Sequence, residues 1–152
     1  MKNLDELFMR EAIKEAQKAF DRDEVPVGCV IVYRNRVIAR AHNQIKLLRD
    51  PTAHAEMIAI TGASNFLQNE RLLNCSMYVT IEPCSMCAGA LVLARIPRLV
   101  YGADDPKAGA CGSVTNIANN MKLNHRVEVV SGISANDCGS LLKEFFKKKR
   151  IK

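Results

Sequence analysis

Three residues in separate parts of this sequence have the side chains of a metal site. They are His54, within His54-Ala55-Glu56, and the cysteines Cys84 and Cys87, which follow Pro83. One imidazole and two thiolates form a ligand set that suits Zn²⁺. Structural zinc sites usually have four protein ligands, whereas catalytic sites leave the fourth position to water. We therefore predict a catalytic site that holds one Zn²⁺ per subunit through His54, Cys84 and Cys87.

Glu56 is the candidate proton carrier of this site. Bound zinc can lower the pKa of water to about 7, and a nearby carboxylate can accept the proton and deliver it to a substrate. Two residues apart on a helix, His54 and Glu56 would point in different directions, so we expect both at the mouth of the helix. The alternative is a zinc clip that only joins two helices, which Glu56 and the three-ligand set disfavour.

The elements predicted around these residues place them at the starts of two helices. Asp50-Pro51-Thr52 is a helix-start signal before His54, and Pro83 opens the helix of Cys84 and Cys87. Apolar periodicity and turn residues predict helices at 3–20, 54–66, 83–94 and 136–148, a β-hairpin at 28–39, and strands at 76–81, 99–102 and 127–130. We predict one α/β domain over residues 1–152, a three-layer α/β/α sandwich around a mixed five-stranded sheet.

The positive charge of the chain is concentrated at its end. The net charge is +6, and the last ten residues, 143–152, contain six lysines and arginines and one glutamate, so they carry +5. Such a run is either a solvated end or a phosphate-binding surface. We predict that a basic helix or tail occupies about 136–152.

Composition indicates an ordinary globular protein of the cytoplasm. Hydrophobic residues make up 48% and charged residues 25% of the sequence. No apolar run is as long as a membrane span, and the first twenty residues lack the apolar region of a signal peptide. We expect no membrane association and no nucleotide cofactor. The four remaining cysteines are expected to be buried free thiols.

The motifs H-x-E and P-C-x-x-C together are the signature of zinc deaminases that act on nucleobases. Beyond them, the chain resembles the bacterial tRNA-specific adenosine deaminases of the cytidine/deoxycytidylate deaminase superfamily. The segments that carry this resemblance are 24–28, 78–90, 107–113 and 124–129. The resemblance implies a cytidine deaminase-like fold, a homodimer, and hydrolytic deamination of adenosine to inosine at wobble position 34 of tRNA(Arg). The implied partner is the anticodon stem-loop.

The resemblance also implies roles for individual residues. Glu56 would be catalytic, and Asn43 would contact the flipped nucleoside. The remaining implied substrate contacts are Val27 and the backbone of Ala55 in the pocket, Asp105 and Lys107 in a loop that meets the anticodon, and Phe145, Lys147, Lys148 and Arg150 at neighbouring nucleotides. The chain departs from the family pattern at Cys29, Cys111 and Asp104, none of which belongs to the metal set.

Two other functions remain open from the sequence. The first is a small-molecule zinc deaminase acting on guanine, cytosine or a nucleotide, because the metal motifs are shared across the superfamily. The basic end and the loop at 107–113 argue against it. The second is a non-catalytic, zinc-stabilised RNA-binding module, against which Glu56 argues.

Overall fold

The structure is a computed structural model that describes residues 2–151. Five helices and five strands lie within this range. In chain order they are α1 (Lys2–Asp21), β1 (Gly28–Tyr33), β2 (Arg36–His42), α2 (Ile45–Leu48), α3 (Ala55–Leu67), β3 (Cys75–Ile81), α4 (Ser85–Leu93), β4 (Arg98–Ala103), β5 (Glu128–Val130) and α5 (Ala135–Ile151).

The strands form one mixed sheet in the order β2-β1-β3-β4-β5. The pairs β1–β2 and β1–β3 are antiparallel, whereas β3–β4 and β4–β5 are parallel. The β1–β2 hairpin turns at Arg34 and Asn35, which both have positive φ, at 52° and 59°. Two such residues are the requirement of a type I′ turn, whose twist matches that of the flanking strands.

The helices cover both faces of the sheet. Alternate residues of β1 separate the two sides, with Cys29 and Ile31 in the core under α3 and α4 and Val30 and Val32 in the core under α1. Helix α5 packs on β4 and β3 and also contacts α1, which places it on the α1 side. The predicted three-layer α/β/α sandwich around a five-stranded mixed sheet is therefore confirmed.

The segments that carry the predicted site lie together at one end of the strands. The parallel strands β3 and β4 both end there, with Ile81 paired to Ala103. The start of β1 and the end of β2 lie at the same edge, because β1 is antiparallel to β3 and Gly28 pairs with His42. The residues that follow β3 and β4 therefore lie beside those that flank the hairpin.

The structure differs from the sequence prediction in a few element boundaries. The short helix α2 was not predicted. Helix α5 continues through Arg150 to Ile151, so the basic end is helical over the described residues. None of the helices between residues 2 and 151 is long and apolar enough to cross a membrane.

Candidate active site

Two of the predicted metal ligands occupy the N-cap positions of neighbouring helices. His54 precedes α3 and Cys84 precedes α4, both with extended backbone at φ −73°, ψ 150° and φ −75°, ψ 177°. Neither side chain makes a capping hydrogen bond, so each is left to face the space between the helix starts. Cys87 is the third residue of α4 and is buried.

The three donor atoms have the spacing of a zinc site. His54 Nδ1 lies 3.7 Å from Cys84 Sγ and 3.6 Å from Cys87 Sγ, and all three atoms lie within 4.8 Å of one another. A tetrahedral zinc with bonds of about 2.0 Å to nitrogen and about 2.3 Å to sulfur separates these ligands by about 3.6 Å. The donor set therefore fits Zn²⁺ in both chemistry and spacing.

The contacts between these donors change their protonation. Hydrogen bonds from Cys87 and His54 lower the pKa of Cys84 to about 3. The same contact with Cys84, together with burial, raises the pKa of Cys87. The hydrogen bond to Cys84 also raises the pKa of His54. The lowered pKa favours the thiolate of Cys84, which is the form that binds a metal.

Glu56 is the second residue of α3 and is only 3% exposed. Since His54 lies before the first turn of α3 and Glu56 lies within it, the two side chains reach the same cavity, as the sequence required. Burial raises the pKa of Glu56 to about 7. A carboxyl group with such a pKa can both accept and donate a proton near neutral pH.

These groups open onto a cavity of about 360 Å³ at the sheet edge. Its walls come from the hairpin flanks, the two helix starts, the segment after β4, and α5. The lining residues are Val25, Val27, Asn43, His54, Glu56, Ile81, Glu82, Cys84, Asp105, Lys107, Ala108, Leu142 and Phe146.

Asn43 is held by the backbone of α3. Its Oδ1 accepts a hydrogen bond of 2.8 Å from the Ala55 N–H, and Asn43 is 6% exposed. The amide NH₂ is therefore the polar group that Asn43 can offer to a ligand. Ala55 itself is fully buried and does not line the cavity. The sequence analysis expected its backbone to line the pocket, whereas in the structure its N–H orients Asn43.

The end of α5 differs from the expectation for one aromatic residue. Phe145 is 5% exposed and packs edge-on against Phe20, with ring centroids 5.9 Å apart. Its neighbour Phe146 is 47% exposed and lines the cavity, as does Leu142. Phe145 is therefore a packing residue, and Phe146 is the aromatic side chain of α5 that lines the cavity. The pairs Leu141–Phe145 and Leu142–Phe146 both have four-residue spacing, so helical periodicity does not separate the two phenylalanines.

The basic residues of α5 lie outside the cavity. Lys147, Lys148 and Arg150 are exposed, and Lys148 Nζ lies 4.8 Å from the centroid of the Phe20 ring. Lys149, which the sequence did not single out, is half-buried and forms an ion pair with Asp23. The three cations chosen from the sequence are thus exposed on α5, as is Lys143.

The three departures from the family pattern do not add metal ligands within the described residues. Cys29 and Cys111 are buried, and burial raises the pKa of both thiols, that of Cys111 to about 12. Asp104 accepts a hydrogen bond of 3.0 Å from the Tyr101 hydroxyl, so its carboxylate is partly used within the fold.

Comparison with known proteins gives the same family from sequence and from structure. The family model for MafB19-like deaminases matches residues 3–150. The tRNA-specific adenosine deaminase of Bacillus subtilis strain 168 is 48% identical over 148 residues, which cover 97% of this chain and 92% of that protein.

Two solved structures are similar over different shares of the chain. A structure from a study of A-to-I editing by tRNA:A34 deaminases has a TM-score of 0.86 at 46% identity, and the match covers 89% of this chain and 98% of the other. The guanine deaminase of Bacillus subtilis has a TM-score of 0.64 at 35% identity, covering 71% and 69%. The match to the A34 deaminase is therefore the more complete one. With a matching family model, a relative almost half identical, and a His-Cys-Cys group beside a buried glutamate, this chain belongs to the MafB19-like deaminases and, among them, to the tRNA-specific adenosine deaminases.

Proposed function

We propose that this chain converts adenosine 34 of tRNA(Arg) to inosine by hydrolytic deamination, as a cytoplasmic homodimer with one Zn²⁺ per subunit. The observation that carries the proposal is the position of Glu56. Its carboxyl group is 3% exposed and lines the same cavity as the His54 and Cys84 donors and Asn43. A metal clip without catalysis has no use for a buried carboxyl group at that place.

His54, Cys84 and Cys87 would hold the zinc, which when bound supplies a Lewis acid that makes water a better nucleophile at neutral pH. Glu56 takes a proton from the water whose oxygen bonds to C6 of adenine, and it passes that proton to N1. A second proton, carried by Glu56 from the same oxygen to the amino group, lets ammonia leave. The products are inosine and ammonia, and Glu56 ends in its initial state.

The walls of the cavity would bind and orient the base. Asn43 offers its NH₂ group because Ala55 occupies its Oδ1, and Val27 contributes an apolar wall. Closing such a site against water strengthens the polar contacts inside it. An anticodon loop suits this enclosed site, because its bases are already partly unstacked and cost little to extrude.

The surface around the cavity supports RNA as the substrate. Asp105, Lys107 and Phe146 line the cavity, and the exposed Lys147, Lys148 and Arg150 follow Phe146 on α5. We propose that Phe146 stacks on a neighbouring base and that the cations contact phosphates. A cytoplasmic location follows from tRNA as the substrate.

An apolar surface on α3 and α4 supports the homodimer. Leu93 of α4 is 81% exposed. It borders a shallow groove of about 470 Å³ that also includes Ile60, Ala90 and Ala94. We propose this surface, which lies on the side of the sheet opposite α1 and α5, as a contact with a second copy of the chain.

Replacement of Glu56 tests the proposed reaction. We expect Glu56→Gln to keep its zinc and its fold and to lose about 10²- to 10⁴-fold in kcat/KM, because general acid–base catalysis contributes about that much. Inosine is measured by chromatography after digestion of an A34 anticodon stem-loop, and zinc by atomic absorption. The control is Glu6→Gln, which changes an exposed glutamate of α1.

Two results would contradict the proposal. Turnover of the Glu56→Gln variant at the wild-type rate would remove Glu56 from the mechanism. Release of ammonia from free guanine by the wild-type protein, without inosine in the stem-loop, would select the small-molecule deaminase.

A further inference from the structure

Glu82 is a buried carboxylate that the proposed reaction does not use. It follows β3 and precedes Pro83 and Cys84, and it is 1% exposed. Among the described residues, no lysine, arginine or histidine forms an ion pair with it. A buried carboxylate without a cation is costly unless hydrogen bonds satisfy its oxygens. The partners of these oxygens therefore indicate what Glu82 does.

Among the described residues, the hydrogen bonds that the Glu82 carboxylate accepts all come from one segment, residues 105–113. Oε1 accepts from the Asp105 N–H at 3.0 Å and from the Ser113 hydroxyl at 2.5 Å. Oε2 accepts from the N–H groups of Cys111 and Ser113, both at 3.0 Å. A single side chain thus joins the beginning of the segment to its end.

The segment is wrapped closely around the carboxylate. A Cβ atom at Gly109 would collide with the carboxylate of Glu82, so no larger residue fits there without movement. The segment is also tied to the residues after Glu82, because the Ala110 N–H donates to the Pro83 carbonyl at 2.9 Å and Gly109 forms a β-bridge with Cys84.

Two residues of the segment form part of the cavity wall. Asp105 and Lys107 both line the cavity. Among the described residues, the hydrogen bond that holds Lys107 is the one that its backbone N–H donates to Asp105 Oδ1, at 3.0 Å. The position of Lys107 therefore depends on Asp105, and the position of Asp105 depends on Glu82.

We propose that Glu82 is a positioning residue for RNA binding, because its carboxylate folds residues 105–113 into the cavity wall and so places Asp105 and Lys107 against the substrate. This inference rests on the proposed function for the identity of the substrate. The structural role of Glu82 is independent of the proposed function, because it is measured without RNA.

The variant Glu82→Gln tests the proposal with little change in volume. Its NH₂ group faces N–H donors at one of the two oxygen positions, so at least one of the hydrogen bonds is replaced by a donor–donor contact. We expect KM for an A34 anticodon stem-loop to rise about tenfold or more, with kcat within about threefold of wild type and zinc content unchanged. The matched control is Glu6→Gln, which removes an exposed charge from α1.

Ser113→Ala supplies a second variant that removes only the hydroxyl contact with Oε1. We expect a smaller rise in KM, about threefold. In the double variant the Ser113 substitution should add little to the effect of Glu82→Gln, because both changes remove the same interaction. Full additivity of the two effects would contradict a shared role. If Glu82→Gln does not fold, Ser113→Ala alone must show the rise in KM, and an unchanged KM overturns the proposal.

Hydrogen exchange separates a failure of this inference from a failure of the proposed function. We expect the amides of residues 105–113 to exchange at least about tenfold faster in the zinc-loaded Glu82→Gln protein than in the Glu6→Gln control, with the rest of the chain unchanged. This holds even if the wild-type protein deaminates no RNA. Unchanged exchange in the segment overturns the proposal, as does a loss of zinc and kcat at unchanged KM, which would assign Glu82 to the support of Cys84.

Discussion

Two of the three candidate metal ligands, His54 and Cys84, lie at helix N-cap positions. An N-cap side chain usually accepts a hydrogen bond from the first turn of its helix, but His54 and Cys84 make no such bond. Instead, His54 Nδ1 lies 3.7 Å from Cys84 Sγ across the site. The positive ends of the two helices lie beside Cys84 and Glu56, which favours the anionic forms of both groups, but for Glu56 burial has the larger effect and raises the pKa to about 7.

The two adjacent phenylalanines of α5 should have opposite effects when replaced. Phe146→Ala removes an exposed ring from the cavity wall, so we expect KM for the stem-loop to rise about tenfold, the value of one stacking contact, with little change in stability. Phe145→Ala removes a buried ring from its contacts with Phe20 and Phe146, so we expect a loss of about 3 kcal/mol of unfolding free energy and a smaller rise in KM than Phe146→Ala gives. Urea titration and steady-state kinetics measure the two quantities, and a reversed pattern would return the nucleotide contact to Phe145.

The site residues differ in how far the sequence could place them. His54, Cys84 and Cys87 lie in short motifs at helix starts, so their types and local positions could be predicted, although the contact between His54 and the cysteines is tertiary. The choice between Phe145 and Phe146 depends on how α5 is rotated about its axis. That rotation is set by the contact with Phe20, more than a hundred residues away in the sequence, which no local pattern shows.

At the scale of elements, a partly buried ion pair helps to hold α1 on the sheet. Asp5 near the start of α1 forms two hydrogen bonds of 2.8 Å with the guanidinium of Arg98 at the start of β4, and accepts a third of 2.7 Å from the Tyr78 hydroxyl of β3. These bonds, that of Arg98 above all, lower the pKa of Asp5. The pair holds α1 over the strands whose ends carry the site.

Removal of this pair should give a pH-dependent loss of stability. Because the pKa of Asp5 is lower in the folded than in the unfolded state, the stability that it contributes is present above the unfolded pKa of about 3.8 and is lost as the pH falls through the folded value. We expect Asp5→Asn to cost about 3 kcal/mol at pH 7, and the difference from wild type to shrink below about pH 4. Urea unfolding at pH 7 and pH 3 measures it.

Wild type and Asp5→Asn have the same metal ligands, so the comparison of the two proteins controls for metal loss. Loss of metal at acid pH affects wild type and Asp5→Asn alike, so it cancels in the difference between them. A difference in unfolding free energy that stays constant with pH would assign the effect of the substitution to packing, not to charge.

Elements could be predicted from the sequence where packing gives them a period. The apolar face of α1 is such a case, since this helix buries one side against the sheet, whereas β1 is a continuous apolar run because both of its faces are buried. The four-residue helix α2 has no apolar period, and it is held by Glu24, whose carboxylate accepts hydrogen bonds from the Lys46 and Leu47 N–H groups. A contact across twenty residues leaves no local signal.

At the scale of the whole molecule, some basic residues form ion pairs within the fold, and others remain exposed near the cavity. Asp23, which follows α1, pairs with Lys149 of α5 and with Lys46 of α2. This contact joins the end of α5 to α2 and to the segment after α1. Lys147, Lys148 and Arg150 remain exposed, so a fixed helix presents them near the cavity, where a mobile tail would leave their position undefined.

Salt dependence of tRNA binding tests whether these three cations contact phosphates. We expect the triple substitution of Lys147, Lys148 and Arg150 by glutamine to weaken tRNA binding and to reduce the slope of log K against log salt by about two, since each phosphate contact on single-stranded RNA contributes about 0.7. The zinc content should not change. The control replaces Arg34 and Arg36, whose exposed charges lie at the turn of the β1–β2 hairpin, at the end of the strands away from the site. A slope that falls equally in both variants would indicate a general effect of net charge, and an unchanged slope in the triple variant would make the basic end of α5 a solvated surface.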